Sequence, residues 1–111
     1  MSYHHQAMAN GKWQQMSLAE QMANIGSEVF RAIKSKSKKD DESAELAFER
    51  ALELFDLTLQ DKKNHTRFIE IARAREAFVD FFKYGNQYKQ SDESVNSYFF
   101  NFNYLARTRS N

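Results

Sequence analysis

The 111-residue sequence has no cysteine, no proline and only three glycines. Without cysteine there can be no disulfide, thiolate metal ligand or cysteine nucleophile. That absence is compatible with a reducing cytoplasm. A chain poor in proline and glycine has few tight turns, so long helices with few connections are expected. Long apolar runs are missing as well. None approaches the roughly 20 residues needed to span a bilayer, and the N-terminus lacks the apolar core of a signal peptide. The expectation is a soluble, cytoplasmic protein with no membrane partner. Charge of one sign is also lacking. Sixteen Lys and Arg face fifteen Asp and Glu, a formal net charge of +1. Such a chain has no overall field to draw in nucleic acid, which is therefore not expected as a partner. There is no glycine-rich phosphate loop. No Ser, Thr or His can be placed in an oriented triad either, so nucleophilic catalysis has little support.

What is present is helical periodicity. The length fits one domain. Residues 1–15 are polar and aperiodic and are expected to be a flexible N-terminal arm, with Trp13 docking it onto the rest. His4 and His5 lie in this arm, with no nearby acid or cysteine to complete a metal site. A single four-helix domain is expected over residues 16–111. Ser17 and Glu20 form the S-x-x-E capping box of its first helix. Leu18, Met22, Ile25, Val29 and Ile33 make one apolar stripe. Ala19, Ala23 and Gly26 make a small-residue edge beside it, which suits the close approach of another helix. The segment Lys34 to Glu42 reads as a solvated loop.

A second helix is expected from about Ser43 to Leu59, with Ala44, Phe48, Ala51, Leu52, Phe55 and Leu59 inward. Asn64 is a candidate cap for the third helix, Arg67 to Tyr84, and Gly85 its left-handed stop. The third helix has the line Phe68, Ile71, Phe78, Phe82, with Arg75 at the position that completes the spacing. If the second and third helices pair around a turn near Lys62, Glu49 stands level with Arg75. A structural ion pair between Glu49 and Arg75 is therefore expected, partly buried, with Arg73 more exposed. Ser91 to Ser94 signals the start of a fourth helix, whose inner face carries Val95, Tyr98, Phe99, Phe102, Leu105 and Ala106. Short links between helices imply an all-α fold, an antiparallel up-down-up-down four-helix bundle.

Two constellations bear on function. Glu45, Glu49, Glu53 and Asp56 share one face of the second helix. The pairs Glu42/Glu45 and Glu53/Asp56 are spaced like the carboxylates with which all-α pyrophosphohydrolases hold magnesium. A metal-dependent nucleotide hydrolase would need Glu49, Glu53 and Asp56 to converge with Asp80 or Glu76. The second constellation is aromatic. Ten of the sixteen aromatic residues lie between Phe78 and Tyr104. Phe81, Phe100 and Tyr104 fall beside the inner stripes, and Tyr88 falls in the linker. Together they widen the apolar arc beyond what one small bundle needs, and such surfaces mark partners. Phe81, Tyr88, Phe100 and Tyr104 are the interface candidates.

The segments MSLAEQMANIGSEVFRA (Met16 to Ala32), AFERALELFDLTLQD (Ala47 to Asp61), RAREAFVDFF (Arg73 to Phe82) and YGNQYKQSDESVNSYFFNFNYLAR (Tyr84 to Arg107) resemble a family of small prokaryotic helical proteins. In architecture the chain is similar, more distantly, to HEPN-type four-helix proteins and to the four-helix proteins encoded within bacterial ribosomal-RNA intervening sequences. The resemblance implies helix-packed dimers or larger oligomers, often in toxin–antitoxin or defence contexts. The HEPN ribonuclease motif, an arginine followed four to six residues later by histidine, is absent, so no catalytic residue is carried over. The reading is a non-enzymatic interaction protein without a cofactor, pairing with itself or with a helical protein partner through the third and fourth helices; the alternatives are the metal-dependent nucleotide hydrolase above and a nucleic-acid-binding module resting on the lysine-rich loop, Arg107 and Arg109.

Overall fold

The computed structural model describes residues 11–87 and 89–109, with side chains as far as Phe102. Four helices make up the fold: α1 (Leu18–Ser37), α2 (Asp41–Gln60), α3 (Phe68–Lys83) and α4 (Asp92–Arg109). Short 3-10 turns at Trp13–Gln15 and Lys62–Arg67 complete it. Among the described residues there is no strand, and no helix is long and apolar enough to cross a membrane.

α1 begins as its sequence dictates. Ser17 Oγ accepts from the Glu20 amide at 3.1 Å, and Glu20 Oε1 accepts from the Ser17 amide at 3.0 Å. A cap of this kind contributes about 1 kcal/mol. Met22, Ile25, Val29 and Ile33 are buried along one face. The lysine-rich stretch is not a loop but the last turn of α1. Its lysines and the acids that open α2 each suit the adjacent helix dipole, so both helices extend into it. Only residues 38–40 connect them. There the Asp40 amide donates to Ser35 O at 2.9 Å and the Lys39 amide to Lys36 O at 3.0 Å. This is a Schellman closure with Lys39, not glycine, in the left-handed region at φ 62°. Asp40 then caps α2, accepting from the Ser43 amide at 3.2 Å.

α2 is the central element. Ala44, Ala47, Phe48, Ala51, Leu54, Phe55, Leu57 and Thr58 are all buried, a wider arc than the expected stripe, because α1 and α3 both pack on it. Leu52 and Leu59 are only partly buried. Aromatic rings carry the α2–α3 seam. Phe48 stacks on Phe82 at 4.8 Å between centroids and tilts against Phe78 at 5.4 Å. Phe55 meets Phe78 at 6.4 Å and, edge-on, Phe99 of α4 at 6.1 Å. Each such ring buried is worth roughly 2–3 kcal/mol. Phe68, expected in this line, is exposed instead. Lys62–Arg67 winds as a 3-10 turn, so α3 begins only at Phe68.

Two more expectations change at the ends of α3. Asn64 does not cap the helix. Its side chain is buried and donates to Gln21 Oε1 at 2.8 Å and Thr58 O at 3.0 Å. Gly85 is not the left-handed residue. Asn86 is, at φ 50°, and its amide reaches back to Asp80 O at 3.2 Å. Lys36 pins this end to α1 by donating to Phe82 O at 2.9 Å, with its ammonium 4.7 Å from the centre of the Phe82 ring.

Trp13 docks its segment onto the helices, as expected, and does so as part of the core. Trp13 is 0% exposed. Its indole donates to Thr58 Oγ1 at 3.0 Å, and its carbonyl accepts from Gln21 Nε2 at 2.9 Å. Gln21 also donates to Asp61 Oδ2 at 2.8 Å, and Lys63 pairs with the same carboxylate. Burial pushes the Asp61 carboxyl up, but the bonds from Lys63 and Gln21 outweigh it and hold the group below its ordinary value. His4 and His5 lie outside the described residues.

Candidate interaction surfaces

α1 packs closely on both α2 and α4, and α2 on α3, but α3 and α4 barely touch. The fold therefore stays open on that side. The opening is a cleft of about 610 Å³. Ala74, Ala77 and Phe78 line it from α3, and Val95, Tyr98 and Phe99 from α4. Phe78, Val95 and Phe99 are buried core residues, so the floor is apolar. Alanines at 74 and 77 leave the room that larger side chains would have filled. Glu70 and Arg73 sit on the rim. Ile69 also lines the cleft from α3, with 67% of its surface exposed.

The rim has its own electrostatics. Arg67 Nε donates to Glu70 Oε2 at 2.7 Å. That bond holds the Glu70 carboxyl below its ordinary value and the Arg67 guanidinium above. Burial pushes the Tyr98 hydroxyl up, nearby Glu70 adds to this, and Arg67 opposes it. Tyr98 is thus a neutral hydrogen-bonding group at physiological pH, not a phenolate nucleophile.

Arg75 is partly buried and Arg73 exposed. The carboxylate that Arg75 meets is that of Asp56, at 3.0 Å, seven residues beyond Glu49. Arg75 thus stands about two helical turns further along α2 than a turn at Lys62 would place it. The Phe48–Phe82, Lys83–Glu45 and Arg75–Asp56 pairs centre the α2–α3 link near His65, not Lys62, because the 3-10 turn lengthens it. Glu49 is exposed and engaged in an interaction of its own. Glu53 and Asp80 are likewise engaged. Among the described residues no three acids or histidines come together as a metal ion would require, so Glu49, Glu53, Asp56 and Asp80 do not form one site.

The aromatic candidates divide. Phe81 is half-buried against the core, beside Ile33 and Lys36 of α1. Phe100 is 67% exposed and lines a groove between α1 and α4, not the α3–α4 cleft. Tyr88 and the Tyr104 side chain lie outside the described residues. Ile69, Phe30 and Leu46 are also exposed apolar residues, outside the expected interface set. Their one signal was that each falls off the inner stripe of its helix. Compared with protein-family models, curated proteins and solved structures, the chain matches none.

Proposed function

We propose that this chain is a non-enzymatic helical interaction protein that self-associates through its α3–α4 face. The open cleft carries the reading, because one residue of its lining, Ile69, is both apolar and largely exposed. A two-fold pair needs one surface that contains both a hole and a knob. Here the cleft over Phe78, Val95 and Phe99 is the hole, and Ile69 is the knob. Opposite charges on one rim, Arg73 and Glu70, suit the same geometry, since each copy offers both signs. The HEPN-type resemblance points the same way, toward helix-packed dimers in a prokaryotic toxin–antitoxin or defence context. It brings no nuclease with it, since no arginine is followed at the required distance by histidine.

Light scattering across a concentration series tests the reading. Dimers are expected at high concentration, and Ile69→Lys and Ala77→Arg should each shift the protein to monomer without lowering its melting temperature by more than a few degrees. A monomer at every concentration would refute self-association.

A further inference from the structure

The outer side of α1 carries a different surface. One groove of about 690 Å³ runs between α1 and α4 and includes Phe30, Lys34, Asn96 and Phe100. A smaller one of about 330 Å³ runs between α1 and α2 and includes Ser43, Leu46 and Arg50. Both are lined by Arg31 and Lys34, so they form one continuous surface across α1. Its lining contains three cations and no acid. Arg31 bonds to the buried Glu28 at 2.8 Å. Lys34 and Arg50 have no carboxylate partner among the described residues. Interleaved with these charges are three large exposed apolar side chains, Phe30 at 51%, Leu46 at 38% and Phe100 at 67%.

We propose that this face docks an acidic amphipathic helix of a partner protein. Phe30 and Lys34 lie one turn apart on α1, so an apolar anchor and a cation recur along the groove at helical spacing. A partner helix with apolar residues on one stripe and carboxylates beside it matches that alternation. Positive against negative then fixes orientation and speeds encounter. A second copy of this chain suits the face less well. Its acid-rich α2 is already engaged, with Glu45 on Lys83, Asp56 on Arg75, and Glu49 and Glu53 in contacts of their own. Nucleic acid also fits less well. The chain carries a net charge of only +1, and the acids Asp41 and Glu42 open α2 beside Ser43, at the edge of the surface.

The experiment uses the full chain and two synthetic 20-residue amphipathic peptides. They share one Leu/Phe stripe, but one carries glutamates opposite it and the other lysines. Fluorescence anisotropy should show binding of the glutamate peptide alone, weakening as salt is raised. Lys34→Glu combined with Arg50→Glu, and separately Phe100→Ser, should each weaken it by about tenfold, the effect of about 1.4 kcal/mol. Ala77→Arg, in the α3–α4 cleft, should leave it unchanged, which separates this inference from the self-association reading. Circular dichroism melts check that each variant folds. Failure of the glutamate peptide to bind, or equal binding of both peptides, would overturn the proposal. So would tighter binding of a 20-nucleotide single-stranded RNA, or a dimer that Phe100→Ser dissolves.

Discussion

Replacing Gly26 with alanine should destabilise the protein, although alanine is the better helix former. On propensity alone the change gains about 1 kcal/mol. The structure opposes it. A Cβ at position 26 would stand 2.7 Å from Phe99 Cβ, 3.3 Å from its Cγ and 3.6 Å from its Cδ1. Unstrained carbon contacts lie near 3.5–4.0 Å. Phe99 Cβ is fixed to the backbone of α4, so rotating the ring away does not remove the worst contact. α4 itself must retreat from α1 by about an ångström. Phe99 is buried edge-on against Phe55, so that retreat also loosens the core.

Overpacking of this kind costs roughly 1–3 kcal/mol. Set against the propensity gain, the net is a loss of about 1 kcal/mol. For a domain of this size that lowers the melting temperature by about 4 °C. Thermal melts followed by circular dichroism read it directly. The neighbouring exposed Ser27→Ala is the control and should raise stability by up to about 0.5 kcal/mol. A Gly26→Ala protein that melts above wild type would mean that the two helices do not approach as described.

Lys39→Gly should stabilise the protein by about 1 kcal/mol, read as a higher denaturant midpoint, because Lys39 sits at φ 62° where a Cβ is strained. Trp13→Ala should cost about 3–5 kcal/mol in the same assay, since it empties a fully buried site and removes the donor to Thr58. A loss below about 1 kcal/mol would return residues 11–15 to a dispensable arm. Asp61 makes stability depend on acid. Its folded-state pKa lies below the unfolded value of about 3.9. Its contribution is therefore fully present above the unfolded pKa and lost as pH falls through the folded one. Glu20, Asp40 and Glu70 are shifted in the same direction. Denaturant melts between pH 5 and 2 should thus lose stability on acidification, and Asp61→Asn should flatten that loss. An unchanged slope would show that the carboxylate is not held as described.

How much of this could be read in advance follows from the range of the interactions involved. The capping box, the α1 stripe and the packing role of Gly26 were legible because helix periodicity and caps act within a few residues. Arg75 was recognisable as a cation beside a core line, but its partner was not. A partner depends on register, register depends on the link, and a 3-10 turn at Lys62–Arg67 has no sharp sequence signature. That turn moved the pairing from Glu49 to Asp56 and left Phe68 outside the core. The polar cluster of Trp13, Gln21, Thr58, Asp61 and Asn64 was illegible for the opposite reason. Trp13 and Asn64 stood out locally, as a docking residue and a candidate cap, but their partners could not be read, because the cluster exists only where residues 40 or more apart in sequence meet at one end of the fold. The aromatic excess was visible and so was most of its division, with Phe78, Phe82 and Phe99 on inner lines and Phe100 beside one; Phe81 departs, half-buried against α1. Phe78, Phe82 and Phe99 complete the core with Phe48 and Phe55, whereas Phe100 turns outward one residue later, onto the groove beside α1. In α4 a single step of about 100° thus separates a ring that holds two helices together from one that stays exposed on the groove.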